Sequence, residues 1–232
     1  MKTIGLLGGT GWESTVEYYK IINREVAKKL GIEHSAKIIL FSIDYYEISS
    51  RIVKNDFEGL GEFISETSKK IEASGAECLV ICANTLHMFA EQISAGISIP
   101  LIHIADATAA AIKEKKMSTA GLIGTKATME MPFYKNRLKE KHGIDVIIPD
   151  ESDANKIHET IITELLHGIF KPETKAYYLS VMEKMTKQGA ECIILGCTDF
   201  PLLINQDDTK IILLDTAEIH SKAAVDFALS NN

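Results

Sequence analysis

The chain has 232 residues, 46% of them hydrophobic, enough to bury a large core as one domain or two small ones. Its formal charge of −7 argues against nucleic acid as a partner, because phosphate binding needs concentrated Lys and Arg and the densest basic run is only Lys113-Glu-Lys-Lys116. No stretch approaches the ~18 consecutive apolar residues of a membrane span, and four cysteines without a secretory leader (Cys78, Cys82, Cys192, Cys197) predict free thiols in a cytoplasmic protein.

In chain order, Thr3–Leu7 reads as a strand entering the glycine turn Gly8-Gly-Thr-Gly11, and Ser14–Leu30 has helical spacing up to Gly31. The turn is neither a Walker loop nor a Gly-x-Gly-x-x-Gly dinucleotide turn. Its glycines let backbone N–H groups approach an anion such as a carboxylate, and a tight turn alone is the plainer alternative. Ala36–Ile43 is a second predicted strand. Arg51 follows in a loop or first helical turn, as a surface charge or a bidentate carboxylate clamp. A helix over Phe57–Ser74 leads to the strand Cys78–Ile81, and Asn84-Thr85 opens a helix whose first turn carries His87. Pro100–Ile104 reads as a strand and Asp106–Lys115 as a helix linking the halves.

The second half repeats the order. Strands are predicted at Ala120–Ile123, Asp145–Ile148, Cys192–Leu195 and Ile211–Leu214. Between and after them come helices near Pro132–Lys141, Asn155–His167, Pro172–Gln188 and Ala217–Leu229. Such alternation predicts parallel α/β sheets. The halves also echo in detail. Gly75-Ala-Glu-Cys78 recurs as Gly189-Ala-Glu-Cys192, an offset of 114 (189 − 75), and Thr3-Ile-Gly-Leu-Leu-Gly8 as Thr119-Ala-Gly-Leu-Ile-Gly124, an offset of 116 (119 − 3). Two pseudo-symmetric lobes follow: residues 1–105 with a returning helix in 216–232, and residues 106–215.

Aligning the repeats places Ala83, not Cys82, opposite Cys197. Both positions fall at strand carboxyl ends, where open α/β sheets bind ligands. A cleft between the lobes would therefore offer a thiol on one side and a methyl group on the other. Cys197 precedes an expected helix start at Thr198-Asp199, whose free N–H groups should lower the thiol pKa from about 8.5. Cys78, Cys82 and Cys192 read as core residues, and the cysteine spacings do not suit common zinc sites.

Gly8-Gly-Thr-Gly-Trp-Glu-Ser-Thr15, Ala83-Asn-Thr-Leu-His87 and Gly196-Cys-Thr-Asp199 resemble the aspartate/glutamate racemase family over essentially the whole chain. The resemblance implies a cofactor-independent and metal-free homodimer that racemises a small acidic amino acid, aspartate or glutamate, through two opposed thiols. Carried over by position, Cys197 is one thiol. Asn84, Thr85 and Thr198 hold the α-carboxylate, and Thr10, Arg51, Thr125 and Thr128 contact the substrate, with Lys171 a weaker candidate. The sequence departs from the family at Ala83, where the other thiol belongs, and at Asp199, where Glu is usual. Water, Thr85 or Cys82 are the available substitutes for the missing thiol. Two other readings remain: one-thiol decarboxylation or cis–trans isomerisation of a small dicarboxylate, and a non-catalytic small-acid binder.

Overall fold

The repeated Gly-Ala-Glu-Cys sequences turn out to be folding signals of similar geometry. In the computed structural model, which describes residues 1–230, Gly75 and Gly189 end helices at φ +98° and +108°, a region open to glycine without steric cost. The following alanines sit under the glycines of the neighbouring strands. A Cβ added to Gly5 would come within 2.8 Å of the Ala76 Cβ, and one added to Gly121 within 3.4 Å of the Ala190 Cβ. Each glutamate then brackets the strand start. The Glu77 carboxylate accepts the Thr3 N–H at 2.6 Å, while the Glu77 N–H donates to the Thr3 carbonyl at 2.8 Å. Glu191 accepts from the N–H groups of Ser118 and Thr119 at 2.7 and 2.9 Å, and its own N–H donates to the Thr119 carbonyl at 2.9 Å. The cysteines pair in the same register, Cys78 with Ile4 and Cys192 with Ala120. Burial pushes their thiols up to about 12 and about 11, as core cysteines should be.

The chain divides into two compact units, Met1–His103 rejoined from His220 onward, and Ile104–Ile219. The first unit contains β1 (Ile4–Gly8), α1 (Trp12–Leu30), β2 (Ile38–Ser42), α2 (Tyr45–Val53), α3 (Phe57–Ala73), β3 (Cys78–Ile81), a 3-10 turn Thr85–Phe89 and α4 (Ala90–Gly96). Its three strands are parallel in the order β2-β1-β3. The second contains α5 (Ile104–Glu114), β4 (Thr119–Gly124), α6 (Lys126–Glu130), α7 (Pro132–Asn136), β5 (Asp145–Ile147), α8 (Glu151–Thr163), α9 (Pro172–Lys187), β6 (Cys192–Gly196) and β7 (Leu213–Asp215). Its four strands are parallel in the order β5-β4-β6-β7. The last helix, α10 (Thr216–Leu229), starts in the second unit and runs into the first. Both sheets thus place the first strand of their half in the same position, beside the strand that follows the repeated motif.

Successive residues of β6 point to opposite faces, so each face meets its own helices. Ile193 and Leu195 pack with Ile157 and Ile161 of α8 and with Val181, Met182 and Met185 of α9. Cys192 and Ile194 pack with Ala105, Ala109 and Ile112 of α5 and with Tyr134 of α7. In the first unit Leu7, Leu79 and Ile81 meet Leu60, Ile64 and Ile71 of α3. This double coverage is why the strands read as unbroken apolar runs.

Three sequence expectations fail. Pro100–Ile104 is not a strand: Leu101 makes one isolated bridge to Leu79, and Ile104 already begins α5. Arg51 lies in the last turn of α2, not in a loop or first turn, because Asp44 caps that helix through the Tyr46 N–H. The segment after Asp199 is a three-residue 3-10 turn, Phe200–Leu202, with Pro201 inside it. Among the described residues no helix is long and apolar enough to cross a membrane.

Candidate active site

In the first unit, the β1 and β3 ends lie side by side, with Leu7 in register with Ile81 and the Cys82 N–H donating to the Leu7 carbonyl at 2.9 Å. The glycine turn therefore shares one sheet edge with Ala83-Asn84-Thr85. Its shape is forced. Gly9 has φ +91°, and a Cβ there would sit 2.1 Å from the Ile43 carbonyl oxygen. Thr15 closes the turn, its Oγ1 accepting the Gly9 N–H at 3.0 Å and donating to the Gly11 carbonyl at 2.8 Å. The Thr10 Oγ1 is buried, with no hydrogen-bond partner among the described residues. Such a hydroxyl costs about 1–3 kcal/mol to leave unpaired, so it is a ready donor or acceptor for a ligand. Ala83 is 6% exposed and packs with Leu7, Ile81 and Leu86. Cys82 beside it is buried, which pushes its thiol far above the ordinary range. Arg51 gives one N–H to the Glu47 carbonyl and lies 4.7 Å from the centre of the Phe63 ring.

In the second unit, the β4 and β6 ends are likewise neighbours, Gly124 in register with Gly196. Thr125 caps α6 by accepting the Thr128 N–H at 3.3 Å, and the two hydroxyls are 3.0 Å apart. The Lys126 N–H donates to His158 Nδ1 at 3.3 Å. Across the same edge lie Cys197, Thr198 and Asp199, all buried, with the Cys197 Sγ–H donating to Asp199 Oδ2 at 3.7 Å. Burial, reinforced by the adjacent Asp199 charge, holds the Cys197 thiol well above its usual pKa. This reverses the sequence expectation of a lowered value, since a single 3-10 turn offers too few free N–H groups to outweigh desolvation. Lys171 stands apart, capping the start of α9 and paired with Glu164 at 2.9 Å.

What sequence reading missed is a buried histidine group in the first unit. The His87 ring centre is 4.7 Å from that of His103 and 5.5 Å from that of His220. His87 Nδ1 faces the Ala83 carbonyl at 2.8 Å and His220 Nε2 the Ile102 carbonyl at 2.6 Å. A carbonyl only accepts, so both nitrogens carry protons, and the Tyr18 O–H donates to His220 Nδ1 at 2.9 Å. No pattern in the sequence joins Tyr18, His87, His103 and His220; only the sheet and the returning helix α10 do so.

Burial holds His87 well below its ordinary pKa and His220 at about 4, the latter opposed only by its bond to the Ile102 carbonyl. In the unfolded chain both take a proton near pH 6.5. Their depressed native values mean the contribution is present above that pH and is lost as the pH falls toward 4. The shift at His220 alone corresponds to about 3 kcal/mol. Urea midpoints measured between pH 7 and pH 4.5 should therefore fall steadily, and His220→Gln should flatten that slope. A midpoint constant over this range would contradict the burial of these rings.

Among the described residues no group of three or more His, Cys, Asp or Glu side chains is arranged to hold a metal ion. The family profile for Asp/Glu/hydantoin racemases matches residues 7–224. A candidate Asp/Glu racemase from Yersinia pestis superposes with a TM-score of 0.91 at 44% identity, covering 99% of this chain and all of its own. An aspartate racemase homologue from Pyrococcus horikoshii OT3 gives 0.85 at 31% identity, covering 99% of this chain and 100% of the other. The broad specificity amino-acid racemase RacX of Bacillus subtilis is 25% identical over 96% of each chain. With a profile spanning nearly its full length and relatives matched end to end, the chain belongs to the Asp/Glu/hydantoin racemase family and is an isomerase.

Proposed function

We propose that the protein racemises a small acidic amino acid, aspartate or glutamate, without a cofactor, using Cys197 as the acid and base at Cα. The observation that carries this reading is the Cys197–Asp199 hydrogen bond at the strand edge that also holds Thr125 and Thr128. Asp199 holds the thiol by accepting its S–H. Once its proton has passed to solvent, the Cys197 thiolate takes the α-proton and the re-formed thiol returns a proton to the same face. Inversion therefore needs a proton from water, Thr85 or Cys82 on the other. Asn84, Thr85 and Thr198 donate to the substrate carboxylate, offsetting the negative charge that accumulates there as Cα loses its proton. Thr10 supplies its buried hydroxyl, and Arg51, Thr125 and Thr128 contact the remaining polar groups of the substrate. A contact from Lys171 requires breaking its pair with Glu164.

Ala83 brings no proton to the opposite face, so inversion should lag behind exchange. In D₂O, one enantiomer of aspartate or glutamate, the L form by resemblance to the family, is expected to take up deuterium at Cα much faster than it inverts. RacX is named for broad specificity, so neutral amino acids belong in the same assay. The single thiol is also compatible with the lesser alternative on the same scaffold, cis–trans isomerisation of a small dicarboxylate. Consumption of such a compound, with no deuterium entering either enantiomer, would establish that reading instead. Binding without any turnover would leave a non-catalytic acid binder.

We also infer a homodimer in the cytoplasm. Trp12, Val16 and Tyr19, spaced along one side of α1, are exposed at 64, 41 and 51%, which supports a partner surface there. The four cysteines are all free, as a reducing compartment would keep them.

A further inference from the structure

We infer that His87 is a positioning residue, whose Nδ1–H fixes the Ala83 peptide and so aims Asn84 and Thr85 at a substrate carboxylate. The inference rests on the racemase reading for the role of Asn84 and Thr85, but its geometry is independent of it. β3 ends at Ile81, and the chain leaves the sheet at Cys82 with its next regular turn beginning at Thr85. Ala83 and Asn84 lie beyond the end of the strand ladder, and the Asn84 carbonyl accepts the His87 N–H at 3.1 Å. The His87 ring reaches back one turn to the Ala83 carbonyl at 2.8 Å.

The ring cannot swing away freely. It is buried against His103 and His220, and the latter is itself pinned at both nitrogens, by the Tyr18 hydroxyl and by the Ile102 carbonyl. Tyr18 belongs to α1, the helix that follows the glycine turn carrying Thr10. The ring group thus sits behind both segments that the first unit contributes to the proposed site.

At the corresponding position the second unit carries no histidine. Under the repeat offset of 114 (197 − 83), position 87 corresponds to Pro201, which has no side-chain donor. There the Cys197 carbonyl accepts the Phe200 N–H at 3.1 Å, and the Leu195 carbonyl accepts the Thr216 hydroxyl at 2.7 Å. Histidine holds the end that lacks a thiol, and backbone with a threonine hydroxyl holds the end that has one.

The test uses side chains that imitate one ring nitrogen each. Asparagine carries an N–H at about the position of Nδ1 and glutamine at about that of Nε2. L-aspartate binding by calorimetry and Cα exchange kinetics should show His87→Asn within about threefold of the wild-type Kd and KM. His87→Gln and His87→Ala should raise both about tenfold, the size of one lost buried hydrogen bond, with a smaller change in kcat. Equal damage from Asn and Gln, or an unchanged Kd in His87→Ala, would overturn the assignment. Nitrogen-15 spectra of histidine-labelled wild-type protein give a readout without any substitution. His87 should be the Nδ1–H tautomer with and without L-aspartate, and an Nε2–H tautomer would overturn the proposal. Failure of the wild-type protein to bind L-aspartate would overturn the acidic-substrate reading first, and the role of His87 in it second.

Discussion

Cys197→Ser is expected to reduce Cα deuterium exchange by about 10²–10⁴-fold, the usual contribution of one acid–base group. The hydroxyl is somewhat smaller than the thiol, so the substitution costs a little packing without adding bulk. The proton it carries is far harder to remove than a thiol proton, and burial at this position already penalises the charged form. The residues proposed as carboxylate donors, Asn84, Thr85 and Thr198, are untouched, so binding of aspartate should persist while exchange falls. Parallel measurement of affinity and exchange checks this separation. Exchange retained at the wild-type rate would remove Cys197 from the chemistry and with it the proposed mechanism.

Ala83→Cys should have the converse effect and raise the rate of inversion by about 10²-fold or more, by adding a titratable group at the position proposed for the second thiol. The observable is the ratio of inversion to exchange, which should rise toward unity as a second proton donor becomes available. The side chain is 6% exposed and packed against Leu7, Ile81 and Leu86, so the added sulfur should also cost about 1 kcal/mol or more through crowding. A small fall in thermal midpoint with a large gain in inversion is therefore the expected combination. A lower midpoint without any gain would show that position 83 does not face the reacting carbon.

The fold was legible because the apolar runs of β3 and β6 and the helix stops at Gly75 and Gly189 are local signals. The most conspicuous of them, the repeated Gly-Ala-Glu-Cys, pointed to the right strand ends for a reason other than chemistry. Its glutamates and alanines fasten each half together, and the residues proposed to act on substrate follow a few positions later. Pro100–Ile104 misled because an apolar run beside a proline looks the same whether it makes one bridge or a full ladder. The thiol environment of Cys197 was misjudged for a related reason. Sequence shows that a turn begins after it, but not that the turn stops after Leu202 or that Asp199 folds back toward sulfur. The histidine group was invisible because its members come from α1, the turn after β3, the segment before α5 and the final helix.

That His220 is supplied by α10 has a consequence for synthesis. The first-made half of the polypeptide leaves the ribosome lacking the ring that packs beside His87, while the second unit is uninterrupted in sequence. The later-translated sheet can therefore mature before the earlier one. The glycine turn and its neighbours then acquire their final backing only once α10 has been made, so deleting α10 should cripple the unit translated long before it.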